Sequence, residues 1–126
     1  MKSFLIDPKK LNPIEEFDNE RVNWLKDKIQ NEGHWCKPIA ISKEHNLVMD
    51  GHHRLEVALR LKLKKVPCFI YSYINVEPYS LRENIDISSE IIINNFLNSI
   101  VLPYKTAKHE LTLPTFIPVE LVKLEK

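Results

Sequence analysis

Apolar residues recur at the period of an α-helix in three stretches of the chain: Val22, Leu25 and Ile29; Leu55 to Leu61; and Ile92, Phe96 and Ile100. Asp18 or Asn19 stands ahead of the first as a cap, and Asn31 or Gly33 follows as a stop. The third begins near Ser88, carries Glu90 where the helix dipole favours an anion, and reaches Ile100 before Leu102-Pro103 ends it. Elsewhere the pattern shortens to strands. Phe4-Leu5-Ile6 is one, and Ile39-Ala40-Ile41 with Leu47-Val48-Met49 flank the turn-like Lys43-Glu44-His45-Asn46 as a hairpin. Val66 to Tyr73 is apolar on both faces, as a buried strand is, but Pro67 lacks an N–H and predicts an edge position or a bulge near its start. In the tail, Pro114 and Pro118 favour short or edge strands over helix.

With 126 residues and 44% apolar content, the chain suits one compact domain. A core over residues 1–80 is expected to pack with a helix and C-terminal extension over 81–126. Eighteen basic against seventeen acidic residues give a net charge of +1, so no global field draws the protein to nucleic acid or membrane, and any anion site must be local. Cys36 and Cys68 lie far apart without metal-type spacing. The N-terminus is too poor in apolar residues for a signal peptide, and no segment approaches the roughly 18 consecutive apolar residues of a membrane span. The expectation is a cytoplasmic protein with reduced thiols.

The chemistry concentrates in one turn. Asp50-Gly51-His52-His53-Arg54 joins a strand to a helix, the arrangement in which first-turn N–H groups and the helix dipole gather an anion. An Asp-Gly pair alone is often a simple turn, but a carboxylate, two imidazoles and a guanidinium in succession exceed what a connector needs. Trp24 and Trp35 read as packing or rim residues, with Trp35 a possible substrate-side contact ahead of Pro38. His34 and His45 read as surface or loop residues.

Three motifs together, Leu11-Asn12-Pro13-Ile14-Glu15, Asp50 to Arg54, and Pro103-Tyr104-Lys105-Thr106-Ala107-Lys108-His109, resemble the free L-serine kinases of the ParB/sulfiredoxin-like superfamily. The resemblance implies an α+β fold with a small mixed sheet, packed helices and a short C-terminal extension. It also implies phosphoryl transfer from ATP or ADP to free L-serine. Two neighbouring families fit less well. Sulfiredoxins carry a catalytic cysteine where this chain has His52, and imidazole cannot form the sulfur-linked intermediate. ParB partition proteins add a helix-turn-helix domain, whereas one good helical segment remains here after residue 80, so sequence-specific nucleic-acid binding is not expected. The kinase family often has histidine before its loop glutamate, where this chain has Ile14.

Phosphoryl transfer asks for positioning, charge neutralisation, a base and a magnesium ion. Arg54 offers a planar fork to phosphate oxygens, alongside Gly51, His52 and His53, whose N–H groups can point at the same anion. Asp50 suits Mg²⁺, directly or through water. Lys105, Thr106 and His109 add a cation, a hydroxyl and an imidazole from a loop able to close over the phosphates. The resemblance assigns the general base to Glu15 on a flexible loop, with Glu16 as the fallback. The competing reading is a ParB-like nucleotide- or effector-binding regulatory module without kinase activity.

Overall fold

The computed structural model describes residues 1–126. Strand β1 (Phe4–Ile6) leads through a short 3₁₀ turn at Pro8–Lys10 to helix α1 (Asn19–Glu32). Asp18 caps α1, accepting the Glu20 N–H at 3.1 Å, and Gly33 stops it in a left-handed conformation at φ 72°. Val22, Leu25 and Ile29 form its buried stripe, as their spacing requires. Then follow β2 (His34–Trp35), the hairpin β3 (Ile39–Ser42) and β4 (Val48–Asp50), helix α2 (His52–Arg60) and β5 (Val66–Tyr71). The last third comprises β6 (Tyr79–Ser80), α3 (Ser89–Leu97), β7 (Ala107–Lys108), β8 (Val119–Glu120) and a helical turn, α4 (Leu121–Leu124).

The main sheet has the order β1-β5-β3-β4, with β3 and β5 parallel and the other pairs antiparallel. Thus β5 is internal, contrary to the edge position or bulge expected from Pro67. The register explains the tolerance: Pro67 stands opposite Leu5, and the ladder to β3 begins one residue later, at Ile39 opposite Cys68, so no bond to β3 is lost.

Side chains alternate across this sheet into two cores. Ile39, Ile41, Val48, Val66 and Cys68 join α1 and α2 on one face, while Ala40, Met49, Phe69 and Tyr71 meet Ile92 of α3 on the other. The parallel β3–β5 pair, apolar on both faces, is what such double coverage demands.

The tail departs from expectation in two places. Pro118 precedes β8, so it does not obstruct the helical turn that follows, and Leu124 from that turn is fully buried against the first core. Burying one such side chain contributes about 1.5–3 kcal/mol. Helix α3 ends at Leu97, and Ile100 lies exposed beyond it, because Ser99 takes a left-handed φ of 57° and turns the chain. Trp35 is fully buried in the first core, which removes it from any substrate-side role.

Candidate active site

Strand β4 delivers Asp50 to the edge of the sheet, and Gly51 makes the turn into α2 at φ 111°. A side chain there would be strained in backbone and pressed on Ile39, 3.4 Å from the position of its Cβ. The first-turn N–H groups of α2 have no intrahelical partners, and no side chain caps them. None of the molecule's four ion pairs takes Arg54, although burial lowers its pKa and Asp50 counters that shift. A guanidinium stays protonated regardless.

The two imidazoles have another task. His52 Nε2 accepts the Ile14 N–H and His53 Nε2 accepts the Asp18 N–H, each at 3.2 Å. Accepting at Nε2 leaves the proton of each neutral ring on Nδ1. Burial pushes the His52 pKa down to about 3, and burial followed by the nearby Arg21 charge lowers that of His53. The rings of these two residues therefore fasten the 14–18 segment to α2. Their contribution to an anion is left to the backbone.

That fastening also corrects the expectation of a flexible loop around Glu15. Asn12 bridges to the β4 side, donating its N–H to Asn46 and accepting that of Val48, each at 2.9 Å. Leu102 N–H donates to Ile14 at 2.9 Å, and Glu16 N–H donates to Leu102 at 2.8 Å, so Glu15 sits in a short strand-like bridge. Its Oε2 accepts the N–H groups of Thr106 and Ala107 at 3.2 and 3.0 Å, while Oε1 lies 3.9 Å from His52 Nδ1. Only 11% of the side chain is exposed. Burial raises the Glu15 pKa, against the opposing pull of those amides, the Lys105 N–H and the Arg82 charge. Glu16, by contrast, is exposed and has no side-chain hydrogen bond.

The third motif divides. Lys105 is exposed, in a left-handed conformation at φ 56°, with Nζ 5.4 Å from the Tyr104 ring centroid. Thr106 is fully buried and its hydroxyl donates to Pro103 at 2.6 Å, so the expected phosphate-facing hydroxyl is already engaged. His109 is also internal, its Nε2 paired with the Tyr73 hydroxyl at 2.9 Å, and burial pushes its pKa down to about 4. Its ring supports the interior rather than closing over a ligand.

Two cations that no sequence motif marks stand at this site. Lys37 Nζ lies 3.2 Å from Asp50 Oδ2, a meeting created by the β3–β4 register that sets Ala40 opposite Asp50. Arg82 reaches the Tyr104 carbonyl, with Nη2 donating at 2.7 Å. No motif marked either residue, because each reaches the site only through strand pairing. No group of three or more His, Cys, Asp or Glu side chains is arranged to hold a metal ion. Beside Glu15 and His52 opens a cleft of about 620 Å³, walled by Leu11, Phe17, Leu55 and Leu59. Its size is that of a small-molecule site.

Residues 2–85 match the family model of the ParB N-terminal domain. The chain belongs to that family. Among curated relatives, an ATP-dependent L-serine kinase of Staphylothermus marinus is 41% identical over 73 residues, covering 55% of this chain and 29% of that protein. A ParB-like protein of Sulfolobus acidocaldarius is 32% identical over 93 residues, covering 73% of this chain and 46% of its own length. This ParB N-terminal domain protein thus spans less than half the length of either relative. Among solved structures, a free serine kinase in complex with AMP superposes with a TM-score of 0.86 at 16% identity, covering 97% of this chain and 93% of that one. The superposition shows that the fold is shared across almost the whole chain.

Proposed function

We propose that this protein is a small-molecule kinase that transfers a phosphoryl group from ATP or ADP to the hydroxyl of free L-serine. The observation that carries the reading is the buried Glu15 carboxylate, tied through Oε2 to the Thr106 and Ala107 amides beside the α2 anion turn. Three segments distant in sequence meet there, and they are the three that resemble the serine kinases. The kinase names among the relatives and the shared fold add support.

In the proposed step the serine oxygen attacks the terminal phosphorus of the donor as the bond to the leaving nucleotide oxygen breaks. The hydroxyl proton passes to Glu15. Two amides occupy Oε2, so Oε1 keeps free lone pairs for that proton, and burial makes the carboxylate more basic than a solvated one. The α2 amides, Arg54 and Lys105 bind the phosphates. Neutral His52 and His53 fix the Glu15 segment against α2, while the Thr106 hydroxyl, bonded to Pro103, braces the amides that hold its carboxylate.

Asp50 is the residue proposed to hold Mg²⁺. One carboxylate with waters and phosphate oxygens is a common magnesium arrangement, and the half-exposed Asp50 beside the anion turn fits it. When bound, the ion would neutralise charge on the phosphates. Lys37 is the cation that must then share or release Asp50. We also propose that residues 1–80 and 81–126 act as one unit, since Glu15 is held from the later segment, and that the enzyme works in the cytoplasm.

The decisive experiment incubates pure protein with L-serine, Mg²⁺ and either ATP or ADP and looks for O-phospho-L-serine by mass spectrometry. Nucleotide binding without phosphoserine would favour the second reading, a regulatory nucleotide- or effector-binding module. Membership of the ParB N-terminal domain family is the observation behind that alternative.

A further inference from the structure

Strand β7 serves two partners at once. Through the N–H groups of Thr106 and Ala107 the 106–107 segment holds Glu15, and through its antiparallel pairing with β6 it carries the 79–82 segment. Ser80 lies opposite Ala107, and Leu81 N–H donates to the Thr106 carbonyl at 2.9 Å. A turn then sharpens the chain: the Ser80 hydroxyl accepts the Arg82 N–H and donates to the Arg82 carbonyl, both at 2.9 Å. The result is a fixed base from which the Arg82 side chain reaches Tyr104. Tyr104 lies two positions before Thr106 and its ring packs edge-on against His53, 5.4 Å between centroids, so Arg82 is bonded to the segment that links the Glu15 amides to the anion turn.

One of the five guanidinium N–H donors is spent on Tyr104, and the residue is exposed, so a planar fork remains for an incoming oxyanion. Phosphate already has the α2 amides, Arg54 and Lys105. A free amino acid whose hydroxyl sits at Glu15 brings a carboxylate as well, and that charge needs a cation on the Glu15 side. Arg82 is the side-chain cation whose field reaches the Glu15 carboxylate.

We infer that Arg82 binds the α-carboxylate of the acceptor amino acid and thereby selects a free amino acid over hydroxyl compounds lacking that group. This rests on the kinase reading above and names the specificity residue within it.

The test compares wild type with Arg82→Met and Arg82→Lys, using L-serine and L-serinamide as acceptors and measuring nucleotide affinity separately. Loss of a charge-assisted contact should raise KM for serine roughly 10- to 100-fold in Arg82→Met with a much smaller change in kcat. The preference for serine over serinamide should collapse, Arg82→Lys should recover part of it, and nucleotide affinity should hold. An equal loss for both acceptors would assign Arg82 a structural role through Tyr104, and weakened nucleotide binding would assign it to phosphate. Either outcome overturns the inference. If wild type makes no phosphoserine, the kinase reading falls and takes this inference with it; an unchanged serine preference in an active Arg82→Met removes Arg82 alone.

Discussion

Glu15 Oε2 accepts the Ala107 N–H at 3.0 Å across 92 positions of sequence. Together with the Thr106 contact at 3.2 Å, this bond aims one carboxylate oxygen at protein and leaves the other for chemistry. Burial keeps the pKa of this carboxylate raised, because the backbone amides and the Arg82 charge offset only part of the desolvation. The same bonds make the C-terminal segment part of the site, since its backbone sets the position of the base.

Glu15→Gln should therefore fold and bind nucleotide, because the glutamine carbonyl can still accept from both amides. Turnover should fall by roughly 10²–10⁴, the range for a lost general base. Glu16→Gln, on an exposed side chain without partners, should change turnover little. Steady-state kinetics with calorimetric nucleotide titration checks both, and a critical Glu16 with a dispensable Glu15 would move the base by one residue.

Arg54 has no ion-pair partner, so removing it leaves no orphaned protein charge, and its effect should be confined to the ligand. Arg54→Ala should weaken nucleotide affinity by one to two orders of magnitude, about 1.5–3 kcal/mol for a charge-assisted contact. An Arg54→Ala protein of wild-type stability and affinity would exclude the residue from the phosphate site.

Local signals in the sequence were legible where the physics is local. Asp18, Gly33 and Ser88 cap or stop helices through bonds within a few residues, and Val22, Leu25 and Ile29 bury the face their spacing defines. Pro67 misleads because the cost of a missing N–H depends on where the ladder to β3 begins, a fact of pairing. The anion turn was legible as a motif, and so was its link to Glu15 and Lys105, through resemblance. The direction of each ring was not. His52 and His53 turn toward Ile14 and Asp18, 38 and 35 positions away, and Thr106 and His109 turn inward to Pro103 and Tyr73. Lys37 and Arg82 went unnoticed for the same reason.

Asp50→Asn separates a metal role from an orienting one. The substitution keeps the shape, removes the charge and frees Lys37 from its pair. If Asp50 holds Mg²⁺, activity should fall and recover in part at higher magnesium, with a right-shifted magnesium titration. A loss that magnesium does not touch would point to positioning of substrate or of Lys37.

Stability should decline on mild acidification, and the two inward-facing histidines set the window. His52 and His109 have pKa values lowered to about 3 and about 4 in the folded protein, chiefly by burial, from an ordinary value of 6.5. Between those limits the unfolded chain binds protons that the native state refuses, so stability is full above about pH 6.5 and drains away as pH falls. At pH 5 the loss should be on the order of 2 kcal/mol per ring. Glu15 acts with the opposite sign, since a raised carboxylate pKa favours the folded state as pH drops, and it blunts the decline above pH 4.5. Urea unfolding at pH 7 and pH 5 should show a lower midpoint at pH 5. The difference should shrink in His109→Gln, whose side chain does not titrate, even if that variant is less stable at pH 7. A pH dependence identical in wild type and His109→Gln would mean that His109 is solvated enough to titrate normally, contrary to its place beside Tyr73.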